Sequence, residues 1–422
     1  MGRTSSLPRT ASSWLGSPRM RPLKALVIVV FSASLAGCAT DTGELDELEQ
    51  ASQGVASQGV ASGKKLFERE TFGGNGRTCR TCHGKETGTV SPDDARARFA
   101  ANPGDPLFVA DGTDDGEGNG VTRILDHATI RITIPLPANV SIQEDPSARS
   151  VTFLRGIPTT LNTPALDPVL MFDGRAPDLS AQALGAIHDH AQNTVEPTRK
   201  QLQRIADFQR TKQFFSADVL RQFALHGGAA PVLPAGTTDS EIRGRRFFVD
   251  QPKQLNPETG LFKLDGFCAH CHSGPMLNAA NGFNPNFPKD VRFSTARVSQ
   301  FNVIGNPVYH WVFTNPDGTT TVAPSPDPGC LLIPNTCQSQ PVPLAAKIAQ
   351  GFFKTPTLWG ISKTAPYFHD NSAATFEDVV DQYRRMFAAA GGNEPLTDQD
   401  KADMVAYLEL LDVSLDELAC DP

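Results

Sequence analysis

Two copies of one five-residue pattern constrain this 422-residue chain more than any other feature in it. The first is Cys79-Arg80-Thr81-Cys82-His83 and the second is Cys268-Ala269-His270-Cys271-His272. Cys-x-x-Cys-His is the attachment signature of c-type haem. Each thiol adds to one vinyl group, and the adjacent histidine is then held where a ring nitrogen binds iron. A zinc pair is the alternative. It fits poorly, because His83 and His272 sit directly beside a cysteine, with no second histidine roughly three to five residues away. The pattern therefore predicts two covalently bound haem c groups, on Cys79, Cys82 and His83 and on Cys268, Cys271 and His272.

The chain is long enough for two domains and a sizeable core. Its hydrophobic content of 39% and charged content of 20% are those of a globular protein. The formal charge is −8, and it becomes −13 without residues 1–37, which carry five basic residues and no acid. Such a chain is a poor nucleic-acid binder and is suited to steering a basic electron-transfer partner toward itself. The 8 cysteines sort readily: four in the two motifs, Cys38, Cys420, and the pair Cys330 and Cys337 around a short proline-containing loop. In an oxidising compartment that pair forms a disulfide, with two free thiols as the alternative. Cys420 has no evident partner.

Residues 1–37 read as targeting sequence. Arg19, Arg21 and Lys24 precede an apolar run from Ala25 to Phe31 that is too short to span a bilayer. Leu35-Ala36-Gly37-Cys38 resembles a bacterial lipobox, which makes Cys38 the lipidated N-terminus; an ordinary cleaved signal is the alternative. Either reading exports the protein, and the lipobox anchors it on the periplasmic side of a bacterial membrane. Residues 38–62 are acidic and then repetitive, with small polar residues that bury too little surface to order themselves, and they read as a flexible tether. The expected domains are residues 63–232, an N-terminal haem c domain, and 233–422, a C-terminal one, with the boundary in the Pro- and Gly-bearing stretch Ala229–Thr238.

The two domains open alike, with Gly63-Lys64-Lys65-Leu66-Phe67 and Gly244-Arg245-Arg246-Phe247-Phe248, the second behind a Thr238…Glu241 capping box. Helices are expected at Lys200–Phe208, at Ser216–His226 before Gly227-Gly228, from Thr375 through Met386, and from Thr397 to about Leu411 with Met404, Leu408 and Leu411 on one face. Strands are expected at Ile130–Leu136, Tyr309–Thr314 and Thr319–Val322. Residues 84–160 and 277–350 read as loop-rich insertions, and Gly112–Gly120 as an acidic solvated loop that lacks the full calcium-hand pattern. The expected fold is mainly α: two cytochrome c-like haem domains with long loop-rich insertions.

Several stretches resemble the bacterial di-haem cytochrome c peroxidase family, which includes MauG-like enzymes. They are Gly73-Gly74-Asn75-Gly76-Arg77-Thr78, Phe172-Asp173-Gly174-Arg175-Ala176, Gln182-Ala183-Leu184-Gly185, Cys271-His272-Ser273-Gly274-Pro275, Lys354-Thr355-Pro356-Thr357-Leu358 and Thr364-Ala365-Pro366-Tyr367-Phe368-His369-Asp370. The resemblance spans roughly residues 63–412. It implies peroxide reduction at the N-terminal haem, electrons relayed by the C-terminal haem, and a small periplasmic donor such as a monohaem cytochrome or a cupredoxin. It also implies a homodimer. His83 and His272 are then proximal ligands. The distal ligand of the second iron falls on Tyr383, where true peroxidases usually carry Met and MauG-like members Tyr; Met386, one turn on, is its rival. An inter-haem calcium is implied at the carbonyls of Thr364 and Pro366, with the family's Asn ligand replaced near Gly156.

The departures bear on mechanism. Phe172 stands where the family has an inter-haem Trp, and it lacks an N–H donor; Trp359 substitutes for it or merely packs. The family's distal Glu aligns with Gln192, whose amide cannot take and return a proton near neutral pH. His190, His188 and Glu196 lie nearby, and histidine has a suitable unperturbed pKa. His190 ranks above His188 because it is nearer the aligned position. Either could instead ligate the first iron, or lie on the surface beside Asp189. The expected catalytic residues are thus His190, Gln192 and Glu196. The leading reading is a peroxidase. A MauG-like or oxygenase-like enzyme oxidising an organic or protein substrate is the second, and a membrane-tethered electron carrier with both irons six-coordinate is the third.

Overall fold

The computed structural model describes residues 58–284, 288–337 and 342–417, with side chains to residue 412. The signal segment, Cys38, most of the tether and Cys420 lie outside the described residues. The described part of helix α1 covers residues 58–69, so helix reaches at least five residues before Gly63, inside the stretch read as tether. Its Gly63 explains the repeated opening motif. A Cβ there would lie 2.1 Å from the carbonyl oxygen of Arg204, so only glycine lets α1 touch the backbone of a second helix. That helix is α6, treated below in chain order. Phe67 then packs edge-on against Phe208 and Phe214, with ring centroids 5.6 and 5.4 Å apart.

The first motif forms the short helix α2 (Cys79–Cys82). Helix α3 (Pro92–Ala101) follows a Ser91 cap, and α4 (Thr122–His127) leads into a hairpin. Strand β1 (Thr129–Pro135) buries Ile130, Ile132 and Ile134 by alternation and pairs antiparallel with β3 (Ser150–Gly156), Thr129 opposite Gly156. Between them, β2 (Val140–Ile142) leaves the hairpin and pairs elsewhere. Helix α5 (Leu179–Asp189) starts at an Asp178 cap, and α6 (Arg199–Phe208) at a Thr198–Gln201 capping box. Helix α7 (Asp218–His226) stops where Gly227 adopts φ 69°.

The second half repeats the opening. Helix α8 (Asp239–Arg245) starts at the Thr238–Glu241 capping box. A Cβ on its Gly244 would lie 2.0 Å from the carbonyl oxygen of Asp403 in the terminal helix. The insertion contains β4 (Phe293–Ser294), α9 (Val298–Phe301), β5 (Tyr309–Thr314), β6 (Thr320–Ser325), α10 (Leu344–Gln350) and β7 (Phe353–Lys354). Helix α11 (Phe376–Ala390) outruns Met386 by four residues, and α12 (Asp398–Glu417) outruns Leu411 by six. Met404, Leu408 and Leu411 are buried on α12.

The two insertions are more than loops. Strand β2, from the first half, pairs with β5, which pairs with β6, giving a sheet in the order β2-β5-β6. A shared core binds Ile130 and Phe153 to Trp311 and Phe352. The described residues of both halves fall in one compact unit. The second half keeps its own core around Phe247, Val380, Tyr407 and Leu411. Cys330 and Cys337 are joined in a disulfide. Helices predominate, and one small sheet, β2-β5-β6, joins the halves. Among the described residues no helix is long and apolar enough to cross a membrane.

Candidate haem sites

The two Cys-x-x-Cys-His motifs place their histidines identically. His83 Nδ1 lies 2.8 Å from the carbonyl oxygen of Gly88, and His272 Nδ1 lies 2.8 Å from that of Leu277, in each case five residues on. A carbonyl only accepts, so Nδ1 carries the proton and Nε2 keeps a free lone pair. Burial pushes both imidazoles down to about 4, which keeps them neutral. A neutral, oriented imidazole beside two thiols is the donor set that haem iron requires. Burial also pushes Cys79 up to about 12 and Cys271 up to about 11, and raises Cys82 and Cys268. With cavities adjoining both motifs, these residues fit haem.

Around His83 two cavities of about 80 and 60 Å³ share Cys82, His83, Gln182, Ala186, His190 and Gln209 as lining. His190 closes α5, and its Nδ1 lies 2.5 Å from Oδ2 of Asp111. The other Asp111 oxygen is bonded by Arg77. Arg77 is buried and also donates to the carbonyls of Pro106 (2.8 Å), Leu107 (2.9 Å), Val109 (2.7 Å) and His190 (3.3 Å). Burial by itself raises the Asp111 carboxyl. The His190 hydrogen bond and the Arg77 charge outweigh it and hold the group below the usual carboxylate range. Ionised Asp111 accepts from Nδ1–H of His190, which leaves Nε2 as the free nitrogen of a residue lining both cavities. Gly112 makes room for this: a Cβ there would lie 2.7 Å from Nη2 of Arg77.

Of the expected catalytic residues, only His190 is brought to the site. Helix α5 ends at Asp189, and Gln192 then takes φ 51°, which turns the following chain outward. Gln192 is exposed and accepts from Asn75 Nδ2 at 3.2 Å. Glu196 is exposed and lies 3.0 Å from His188 Nε2, so this pair is a surface contact. Gln192 and Glu196 are therefore corrected out of the site, and Asp111 and Arg77 enter it. Arg77 lies in a stretch that carries the family resemblance. Asp111 borders the loop read as merely solvated, and no spacing rule links it to His190.

Around His272 a cavity of about 350 Å³ is lined by Cys268, Cys271, His272, Trp359, Tyr383 and Met386 among others. Tyr383 and Met386 both reach it from α11. Burial raises the Tyr383 hydroxyl, with the nearby Cys271 and Cys268 adding to it. Trp359 is buried and spends its indole N–H on the Pro275 carbonyl at 2.8 Å. Phe172 lines both this cavity and the larger of those beside His83, so it stands between the sites. Behind it, buried Arg155 bonds Asp327 (2.6 and 2.9 Å) and Asp173 (2.5 Å).

Thr364 and Pro366 line the second cavity, and Thr364 Oγ1 donates to the Ile361 carbonyl at 3.0 Å. Asn371 fills the space beside Gly156 and donates its amide to the carbonyls of His127 (2.9 Å) and Ala128 (3.1 Å). Among the described residues no group of three or more His, Cys, Asp or Glu side chains is placed to hold a metal ion.

Residues 57–224 match the family model described as di-haem cytochrome c peroxidase. Cytochrome c551 peroxidase of Nitrosomonas europaea is 24% identical over 262 residues, covering 60% of this chain and 64% of the relative, just under two thirds of its length. Cytochrome-c peroxidase IdrP2 of Denitromonas iodatirespirans is 23% identical over 414 residues, covering 93% and 92%. A solved MauG-like protein associated with microbial copper homeostasis gives a TM-score of 0.43 at 19% identity, covering 85% of this chain and 90% of that one. By the family model over residues 57–224 and by its curated relatives, the chain is similar to the di-haem cytochrome c peroxidases, a group of haem peroxidase-type oxidoreductases.

Proposed function

We propose that this protein is an exported, lipid-anchored di-haem c-type oxidoreductase that reduces hydrogen peroxide at the His83 site. Electrons come by way of the His272 site from a small periplasmic donor, a monohaem cytochrome or a cupredoxin. Residues 63–232 and 233–422 are the two haem-bearing units. Cys38 carries the lipid, and the acidic surface draws in a basic donor. The observation that carries the reading is the Arg77–Asp111–His190 chain beside His83.

When bound through Cys79 and Cys82, haem supplies an iron at which the O–O bond of peroxide is cleaved. The protein supplies the proton handling. Reduction of H2O2 to two waters consumes two electrons and two protons. His190 Nε2 takes a proton from the incoming peroxide and returns it to the departing oxygen. Asp111 keeps the required tautomer and stabilises the imidazolium that forms; Arg77, held by backbone carbonyls, fixes Asp111. His190 thus does the work of the family's Glu. His83 and His272 hold the two irons, and Phe172 lies between their cavities. A second reading, MauG-like oxidation of an organic or protein substrate, is favoured by Tyr383 on the wall of the His272 cavity.

The test is peroxide-dependent oxidation of a reduced small cytochrome by the holoprotein and by His190→Leu. The proposal expects turnover by the first and near-complete loss in the second. Peroxide consumption without donor oxidation favours the MauG-like reading.

A further inference from the structure

We infer that Gln209 donates a hydrogen bond from its side-chain amide to the oxygen of the ligand bound at the His83 site; this rests on the proposed reduction of peroxide there. Gln209 caps the C-terminal end of α6 and is 3% exposed. Its backbone N–H donates to the Ile205 carbonyl at 3.2 Å, whereas its side-chain amide has no partner among the described residues. It lines both cavities beside His83 from α6, as His190 does from the end of α5. A buried amide without a hydrogen bond is costly, and native sites supply the partner from whatever fills the space.

The second half shows what this place holds when it only packs. Gly63 meets the carbonyl oxygen of Arg204 and Gly244 that of Asp403, so Arg204 and Asp403 correspond. One residue further on, Ile205 and Met404 line their cavities; five residues further on, Gln209 and Leu408 do. Leu408 is 5% exposed, so the two places are equally buried. The amide replaces the leucine in the half where His190 is backed by Asp111. A carboxamide stays neutral, so it donates without competing with His190 for the proton. Negative charge develops on peroxide as His190 takes its proton, and a donor already in place stabilises that charge. Gln182, lining the same cavities from α5, is the rival donor, and a haem propionate is the rival acceptor.

The experiment is infrared spectroscopy of the carbon monoxide complex of the fully reduced holoprotein, in wild type, Gln209→Met and Gln209→Leu. Pyridine haemochrome checks that each retains two haems. The band missing from a Cys79→Ala, Cys82→Ala protein belongs to the His83 site. A hydrogen bond to the ligand oxygen polarises the ligand and lowers its stretching frequency. Both Gln209 variants are therefore expected to move that band to higher wavenumber; methionine keeps the length of the side chain without the donor, and leucine copies the second half. A band unmoved in both variants, with two haems retained, overturns the inference and leaves His190 and Gln182 as the donors. An unmoved band together with a shifted midpoint potential of the His83 haem overturns it in favour of a propionate contact. A wild-type protein that carries two haems and binds no carbon monoxide at the His83 site overturns the proposed function itself.

Discussion

In the first half Gly63 lets α1 lie against Arg204 of α6; in the second Gly244 lets α8 lie against Asp403 of α12. Each half then presents a neutral histidine whose Nδ1 donates to a carbonyl five residues later. The frames match, and the opposite walls do not. His83 faces small cavities with an ionised Asp111 behind His190, whereas His272 faces a larger cavity bounded by Tyr383, Met386 and Trp359. One frame carries an acid-backed histidine on the facing wall in one half and an aromatic wall in the other. The chemistry differs because the walls differ.

The largest expected effect comes from removing one frame. Cys79→Ala with Cys82→Ala should reduce covalent haem from two per chain to one by pyridine haemochrome, with the His272 haem spectrum intact. Retention of both would break the comparison. Next is the wall. His190→Leu should lower kcat by about 10²- to 10⁴-fold. Asp111→Asn should cost on the order of 10- to 100-fold, the value of one hydrogen bond to a charged group. Glu196→Gln should leave kcat unchanged, because Glu196 meets His188 at the surface.

Smaller effects test the helix contacts. Gly63→Ala and Gly244→Ala should each destabilise by about 1–3 kcal/mol, because the added methyl meets backbone. Gly185, in α5, has nothing within 4 Å of an added Cβ, so Gly185→Ala should stabilise by about 0.5–1 kcal/mol. Denaturant melts separate the three. The last effect concerns Asp412 of α12, which accepts from the Ser362 amide. Burial pushes Asp412 up to about 6 from an ordinary 3.8, and its Oδ1 has no partner among the described residues. A raised carboxyl favours the fold below about 3.8, and that contribution is lost as pH rises through about 6. Asp412→Asn should therefore stabilise by about 1 kcal/mol at pH 8, a figure discounted for partial exposure, and gain nothing near pH 3.5. A gain independent of pH would exclude the ionisation as its cause.

Much of this was legible in local sequence. Cys-x-x-Cys-His spacing is covalent chemistry, and the caps at Thr238, Thr375 and Thr397 announce helices through backbone hydrogen bonds that need no tertiary partner. The β1 alternation and the β5 and β6 strands were equally local. The β2–β5 pairing was not, since it joins Ser141 to Val312, far apart in sequence. Nor was the Arg77–Asp111–His190 chain, whose members are far apart in sequence and meet only because the turn at Ala110–Gly112 lies over α2 and the end of α5. Gln192 and Glu196 failed for the complementary reason. Alignment by position cannot see the left-handed turn at Gln192 that carries them outward.

The most direct test of peroxide handling at His83 is electron paramagnetic resonance of the holoprotein, fully oxidised and half-reduced, before and after one equivalent of peroxide, in wild type and His190→Leu. The account predicts a high-spin signal that peroxide consumes in wild type and that survives peroxide far longer in His190→Leu. Two low-spin haems unmoved by peroxide in both redox states would contradict it and leave a membrane-tethered electron carrier.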